Sequence, residues 1–464
     1  MRTPMLIAHA DWSTDAAKRW MACARLDATG RYCADVPRPV GDCRSLIARL
    51  CDQSDGRVFL GMDFPIGIPH AYASRAGVPN FLSFLHHVGE GRWRDVLTLA
   101  ERREEIDLHR PFYPRRPGGT AQSHLLDALG IPDFDTLRRR CERAHADRRA
   151  AAPLFWTLGG NQVGRAAIAG WQEILIPALR RRPVDIHLWP FMGGLEHLLA
   201  RDGVVIAETY PTEFYAGAGV RFPSSRPGEH TGKRVRSARA SCAQDMATWA
   251  EKAGVELAPA LRAEIDDGFG ERPDGEDRFD AVVGLFGMLD IVLERRESGE
   301  CADPTIRTLE GWILGQTPSP DLRRPSTSDA STAYRQTTFW AFTPDDAVAI
   351  RDGEPCEQLD GLLDSLNATT WAYVTAHNPG SSTPRSASEN TAAHTALTRH
   401  LEDRGHPSYP GIGVGDDGRW PAEDSLLVVG VDEAEALALG RQFGQRAIVL
   451  GERGGRATVR DLHG

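Results

Sequence analysis

GEDRFDAVVGLFGM, residues 275–288, sets Glu276, Asp277 and Asp280 at the mouth of a run that is otherwise apolar. The segment reads as a buried helix that begins with three carboxylates. Residues three apart share a helix face, so Asp277 and Asp280 point the same way while Glu276 sits to the side. Acids early in a helix favour its dipole, and Asp277 with Asp280 could be a cap and its partner. They could equally be half of a metal site. Asp280, read as lying inside the first turn, is the harder of the two to explain as a cap.

The N-terminal strands weigh on that choice. MLIAHADWS reads as a strand ending at Asp11, and RWMACARLD and GRYCADVP as two more around a DATG turn. CRSLIARLCDQ carries apolar residues at helical spacing, and RVFLGMDFPIGIP is a buried strand ending at Asp63 before Pro65. This β-β-β-α-β order is expected to make the first and fourth strands neighbours at the sheet centre. A buried carboxylate without a partner is costly. Two acids at matching strand ends, with Asp277 and Asp280 laid over them, make a four-carboxylate pocket. Such a cluster repels itself unless a cation neutralises it, and oxygen-only ligands suit Mg²⁺ or Mn²⁺. Two such ions ~3.5–4 Å apart can activate water and stabilise the leaving oxygen of a phosphodiester.

The rest of the chain divides around this core. Residues 70–200 form a long, mostly helical insertion. It contains the basic, Pro/Gly-rich HRPFYPRRPGG and the segment FWTLGGNQVGRAAIAGWQEILIPALRRR. VVIAETYPTEFY is a strand running into Glu208 and a turn at Pro211. Residues 316–336, rich in Pro, Ser and Thr, read as a linker. The organisation is therefore an α/β domain over 1–315, the linker, and a smaller α/β or α+β domain over 337–464. In that second domain strands are expected near 371–375, 425–429 and 446–450, with helices over 389–404 and 433–443.

Several pieces of the first domain carry a resemblance: HADWS, GMDFPIGIP, ETYPTEFY, DRFDAVVGLFG and LEGWI. A strand Asp, a fourth-strand Asp and a late-helix DxxDA resemble the ribonuclease-H-like superfamily, nearest its Holliday-junction-resolvase branch. More closely, residues 5–315 resemble a group of ribonuclease-H-like nucleases, domain of unknown function family 429. FWTLGGNQVG and LWPFMGG resemble segments of its longer members. The resemblance implies a ribonuclease-H-like mixed sheet and a metal-dependent nuclease, with Asp11, Asp63, Asp277 and Asp280 as ligands. Glu208 is a fifth acid, because ETYP stands where the family carries its Glu-and-Pro strand. Two departures bear on how closely substrate approaches: Ala10 stands where glycine is more usual, and the strand enters through His9.

The second domain is similar to domain of unknown function 3293, through TAHNPGSSTPRSASENTAAHTAL, DDGRWPAEDSLLVVGVD and RQFGQRAIVLG. That resemblance implies no activity. Asn378 to Ser381 reads as a turn, and Ser386 or Ser388 as a helix cap. Glu389, Asn390, Trp420, Glu423 and Gln445 are either a polar pocket around Trp420 or caps and turn contacts. Ala422 departs from the family, where an acid is expected after Pro421.

Composition narrows the function classes. The net charge of −10 gives no global attraction to nucleic acid. Basic charge is nevertheless clustered at 138–140, 180–182 and 233–239, where Lys233, Arg234 and Arg236 are candidates for holding a phosphate backbone. Solvated faces are the alternative. No run of ~18 apolar residues suggests a membrane span, and the first residues lack a signal-peptide core. Eight scattered cysteines without a CxxC pair suggest a reduced, cytoplasmic protein and no zinc site. His86 and His87 read as a helix end, and Trp156 and Trp171 as core.

Three functional readings follow. The first is a Mg²⁺- or Mn²⁺-dependent nuclease; the second keeps the fold as a non-catalytic binding or scaffold protein. The third rests on DWST, similar to the phosphate-binding turn of actin and sugar-kinase phosphotransferases, a branch that needs a second such lobe.

Overall fold

The computed structural model describes residues 3–144, 150–158, 163–181, 184–222, 232–271, 273–301, 303–318, 337–343, 346–379, 385–415 and 422–462. Most of the expected linker, from 319 to 336, lies outside them. At its first residue, Gln316 is buried and donates to the Cys141 carbonyl at 3.1 Å.

Eight strands build the first sheet. They are β1 (Leu6–Asp11), β2 (Trp20–Leu26), β3 (Tyr32–Ala34), β4 (Arg38–Pro39), β5 (Arg57–Met62), β6 (Ile186–Leu188), β7 (Gly203–Glu208) and β8 (Glu256–Leu257). Their order is β6-β7-β5-β1-β2-β3-β8, with β4 against β2. β2 runs antiparallel to β1, whereas β5, β7 and β6 continue parallel to it. The sheet is therefore mixed, and the first and fourth long strands are neighbours as expected. β1 is buried at all six positions, the mark of a strand covered on both faces.

The Gly275–Val292 helix lies across β1 and β2. Almost every residue from Arg278 to Ile291 is buried, including polar ones, as befits a helix apolar on all sides. Two glycines let it approach. A Cβ at Gly284 would collide with the His9 ring of β1, and one at Gly287 with the ring of Phe214. His9 Nδ1 in turn donates to the Ala281 carbonyl at 3.1 Å, fastening strand to helix.

The start of this helix settles the capping question. Its N-cap is Asp274, whose side chain makes no cap hydrogen bond. Asp277 is the third helical residue and Asp280 the sixth. Asp280 thus sits in the second turn, not the first, one turn deeper than a capping role requires.

Between β5 and β6 the described residues alternate short helices with long irregular stretches such as 94–102 and 106–121, and strand β6 falls inside the span expected to be mostly helical. His86 and His87 end the Phe81–His87 helix. Trp171 is fully buried and donates to the Pro65 carbonyl at 2.7 Å, whereas Trp156 is only half-buried.

The second sheet holds β9 (Thr337–Phe342), β10 (Ala347–Ile350), β11 (Thr370–Thr375), β12 (Ser408–Gly415), β13 (Glu423–Val429), β14 (Ala447–Glu452) and β15 (Thr458–Asp461). Its order is β10-β9-β12-β13-β11-β14-β15, antiparallel throughout. Two of its helices, Ala387–Arg404 and Glu433–Gln442, fall within a residue or two of expectation. Ser386 caps the first by accepting from the Glu389 N–H, and Glu389 bonds back to Ser386. The two units share apolar core: Trp340, Phe342 and Ile412 belong to the same buried cluster as the first sheet.

Candidate carboxylate site

Asp11 closes β1, and Asp63 follows β5 directly, its N–H bonded to the Ala10 carbonyl at 3.1 Å. Parallel pairing of β1 and β5 brings these two carboxyls together at one sheet edge. The Gly275–Val292 helix crosses β1 and brings Asp280 and Asp277 within electrostatic reach of Asp11. Asp11 and Asp280 are buried; Asp63, Glu276 and Asp277 are half-buried.

The electrostatics register the crowding. Burial pushes the Asp11 carboxyl well above the usual range, and the charges of Asp280, Asp63 and Asp277 add to it in that order. Asp63 is pushed up to about 7 by burial and then by Asp280. Lys233 opposes that rise, as does a hydrogen bond with Asp11, which needs a proton on one of the two carboxyls. Asp277 rises to about 6, through burial and then Glu276. Asp280 is also raised by burial, with Lys233 pulling against it.

Two groups from elsewhere in the chain complete the cluster. The Tyr215 hydroxyl donates to Asp280 Oδ1 at 2.7 Å. The Lys233 ammonium pairs with Asp280 Oδ2 and lies 3.1 Å from Glu276 Oε1. Lys233 therefore faces inward; 47 residues separate it from Asp280, so no local pattern marks the pair. The basic segment beside it is also largely engaged. Arg236 pairs with Asp267 and Glu271, and buried Arg239 donates to three loop carbonyls. Arg234 is the exposed member, 3.8 Å from Glu276.

Glu208 is placed differently from the four aspartates. Both of its oxygens accept from Arg139 at 2.7 Å, and Oε2 also accepts the Ile66 N–H at 2.6 Å. Arg139 is wholly buried and further bonded to Glu142 and the Glu310 carbonyl. Glu208 is thus the anchor of a buried ion network, with its carboxylate already neutralised. Arg139 had been legible only as part of a basic run.

Oxygen donors of this kind and net charge suit a hard divalent cation. In the arrangement described, however, Lys233 supplies the positive charge. Among the described residues no three His, Cys, Asp or Glu side chains are grouped as a metal-holding set. The residues fit a cation in chemistry, and seating one requires the ammonium to leave Asp280.

In the second unit, Asn378, Asn390 and Glu423 do converge. Asn378 and Asn390 bond reciprocally at 2.8 and 3.0 Å, and Asn378 Nδ2 donates to Glu423 Oε1 at 2.9 Å. Gln445 instead reaches the His377 carbonyl and Glu389 serves the cap, while Trp420 lies outside the described residues. The model of the family described as Protein of unknown function (DUF3293) matches residues 374–448. This match contains the Asn378, Asn390 and Glu423 constellation. No curated protein matches the chain, and no solved structure does. The eight cysteines form no disulfide, and no helix among the described residues is long and apolar enough to cross a membrane.

Proposed function

We propose that the first unit is a divalent-metal-dependent nuclease of the ribonuclease-H-like kind, related to domain of unknown function family 429. The observation that carries this reading is the convergence of Asp11, Asp63, Asp277 and Asp280 from two adjacent parallel strands and one crossing helix. Mg²⁺ or Mn²⁺ bound by these four would activate water and offset charge on the phosphodiester. The chain's own part is to hold four carboxylates against their mutual repulsion, through a rigid sheet and a glycine-notched helix. Tyr215 orients Asp280, and exposed Arg234, beside Glu276, would meet a phosphate backbone. The test is divalent-dependent cleavage of DNA, RNA and branched substrates by wild type, Asp11→Asn and Asp280→Asn. Both variants should lose at least about a hundredfold in rate; cutting at the wild-type rate would remove these residues from the site.

One observation favours a second reading, a non-catalytic scaffold. Lys233 already neutralises Asp280, so the cluster can persist without metal. Calorimetry with Mn²⁺ separates the two, since a scaffold takes up none at millimolar concentration. The phosphotransferase reading gains no support: the all-antiparallel second sheet is not a second copy of the mixed first one.

A further inference from the structure

Three histidines meet where the two units join. His197 lies on the Leu195–Leu199 helix of the first unit and His394 on the Ala387–Arg404 helix of the second, and these helices pack together. Both side chains are buried, and their rings meet edge to face with centroids 4.3 Å apart. His377, just after β11, brings a third ring to 5.8 Å from that of His394. His377 and His394 fall within the stretch matched by the family model.

These rings differ from the other buried histidine of the core. His9 leaves Nε2 open but bonds the Ala281 carbonyl through Nδ1. In His197 neither ring nitrogen has a hydrogen-bond partner, and His394 Nδ1 and His377 Nε2 have none either. A proton added here would place a charge against another imidazole, out of water and without an acceptor. The cations nearby make that harder: Arg201 and His187 face His197, Arg201 and Arg307 face His394, and Arg307 faces His377. Asp424 is the anion that faces all three. It comes no closer than 3.9 Å to His377 Nε2, and its oxygens are engaged by the Gly194 N–H and Arg307. Glu300, beside Glu196, faces Arg307 and Asp424 and accepts the Leu195 N–H at 3.2 Å. Burial outweighs Asp424, holding His394 down to about 3 and His197 well below the usual histidine range.

We propose that this histidine cluster is a proton-sensitive latch between the two units, closed while the imidazoles are neutral and loosened as they take up protons. Histidine ordinarily titrates near 6.5. Above that pH the rings are neutral whether the joint is closed or open, so the latch is at full strength. Below it an opened, hydrated ring takes a proton that the closed one refuses. Opening then gains about tenfold per pH unit for each ring kept neutral. Asp424, held low, adds acid sensitivity only below 3.8. The window from about 6.5 down to about 4 therefore belongs to the histidines. Glu300, raised by burial, acts in the opposite sense, one group against three. The competing account is a metal-bridged cluster, but among the described residues no three such side chains are grouped to hold a metal.

The experiment is hydrogen–deuterium exchange of the full chain, read by mass spectrometry as protection relative to free-peptide rates, at about pH 7.5 and about pH 5. In wild type the peptides covering 195–199 and 387–404 should lose protection at least about tenfold on acidification. The Gly275–Val292 helix, which lies away from the joint, should lose less. His197→Leu and His394→Leu replace an imidazole by an apolar side chain of similar size that takes no proton. Each should flatten the loss at the joint, and His197→Leu should keep wild-type protection at the higher pH because no ring bond is removed. The wild-type comparison of joint and helix decides the matter even if the variants misfold. Unchanged protection at the joint, an equal loss in the Gly275–Val292 helix, or an undiminished loss in either folded variant would each overturn the proposal.

Discussion

Asp11 and Asp424 are both buried aspartates at the end or start of a strand, yet they sit at opposite extremes. Asp11 is driven up by burial and by three neighbouring aspartates, with Lys233 relieving it in part. Burial pushes Asp424 up as well, but Arg307, His377, His394 and the Gly194 N–H together hold it far below the usual range. The Gly194 N–H donates to it at 2.9 Å, and Arg307 pairs with its other oxygen. One cluster has more anion than cation; in the other, Asp424 has a donor on each oxygen. That second cluster joins the two units, since Gly194 and Arg307 come from the first and Asp424 from the second. A buried carboxylate with a partner on each oxygen is what a structural joint needs. Incomplete compensation is what a site for an arriving cation needs, and perturbed carboxyls in one place point that way.

The comparison breaks most visibly at the joint. Asp424→Ala strands Arg307 without its partner and should cost about 3–5 kcal/mol in denaturant unfolding, because an unpaired buried charge is left behind. The pH signature is also specific. A carboxyl held low in the folded state contributes fully above its unfolded value, here 3.8, and loses that contribution as pH falls below it. Wild type should therefore lose stability in acid through this pair, and Asp424→Ala should show a flatter acid limb.

The carboxylate cluster should respond in the opposite sense. Asp63→Asn removes a charge the fold resists, so it should raise stability at neutral pH by about 1–3 kcal/mol. A carboxyl held high costs nothing below 3.8, where folded and unfolded states both keep the proton. Its cost grows as pH rises towards about 7 and is then constant. The gap between variant and wild type should open over that window. Urea midpoints across it check both the size and the sign, and a variant less stable than wild type at neutral pH would undo the contrast.

The smallest effect is expected at Lys233, whose side chain is partly exposed. Lys233→Met should destabilise by about 1 kcal/mol. Millimolar Mg²⁺ should recover that loss if the cluster accepts a metal in its place. Melting curves with and without the ion measure this directly.

The sequence made the sheet centre readable because β1 and β5 are short apolar runs, each ending in an acid. Asp11, Asp63 and the Asp277 and Asp280 pair stood out for the same reason: carboxylates where apolar residues were due. What stayed hidden depends on contacts far along the chain. Tyr215 and Lys233 reach Asp280 across 65 and 47 residues, and Arg139 reaches Glu208 across 69. No local periodicity marks such partners, and an arginine in a basic run looks the same whether solvated or buried. The reading of Asp280 as a first-turn residue differs from the structure, where the helix begins at Gly275 and Asp280 is its sixth residue. Asn378 and Asn390 read as turn and cap residues, and their reciprocal bonding could be seen only once β13 had brought Glu423 beside them.

The contact between His9 and Gly284 acts as an alignment key. A helix that advances by one residue rotates by about 100° and climbs about 1.5 Å. Such a slip would swing Asp280 away from Asp11 and bring a bulky neighbour of Gly284 onto the imidazole. The notch admits the ring in one register only. The aim of the carboxylates is therefore set one turn away from them, by an atom that glycine lacks.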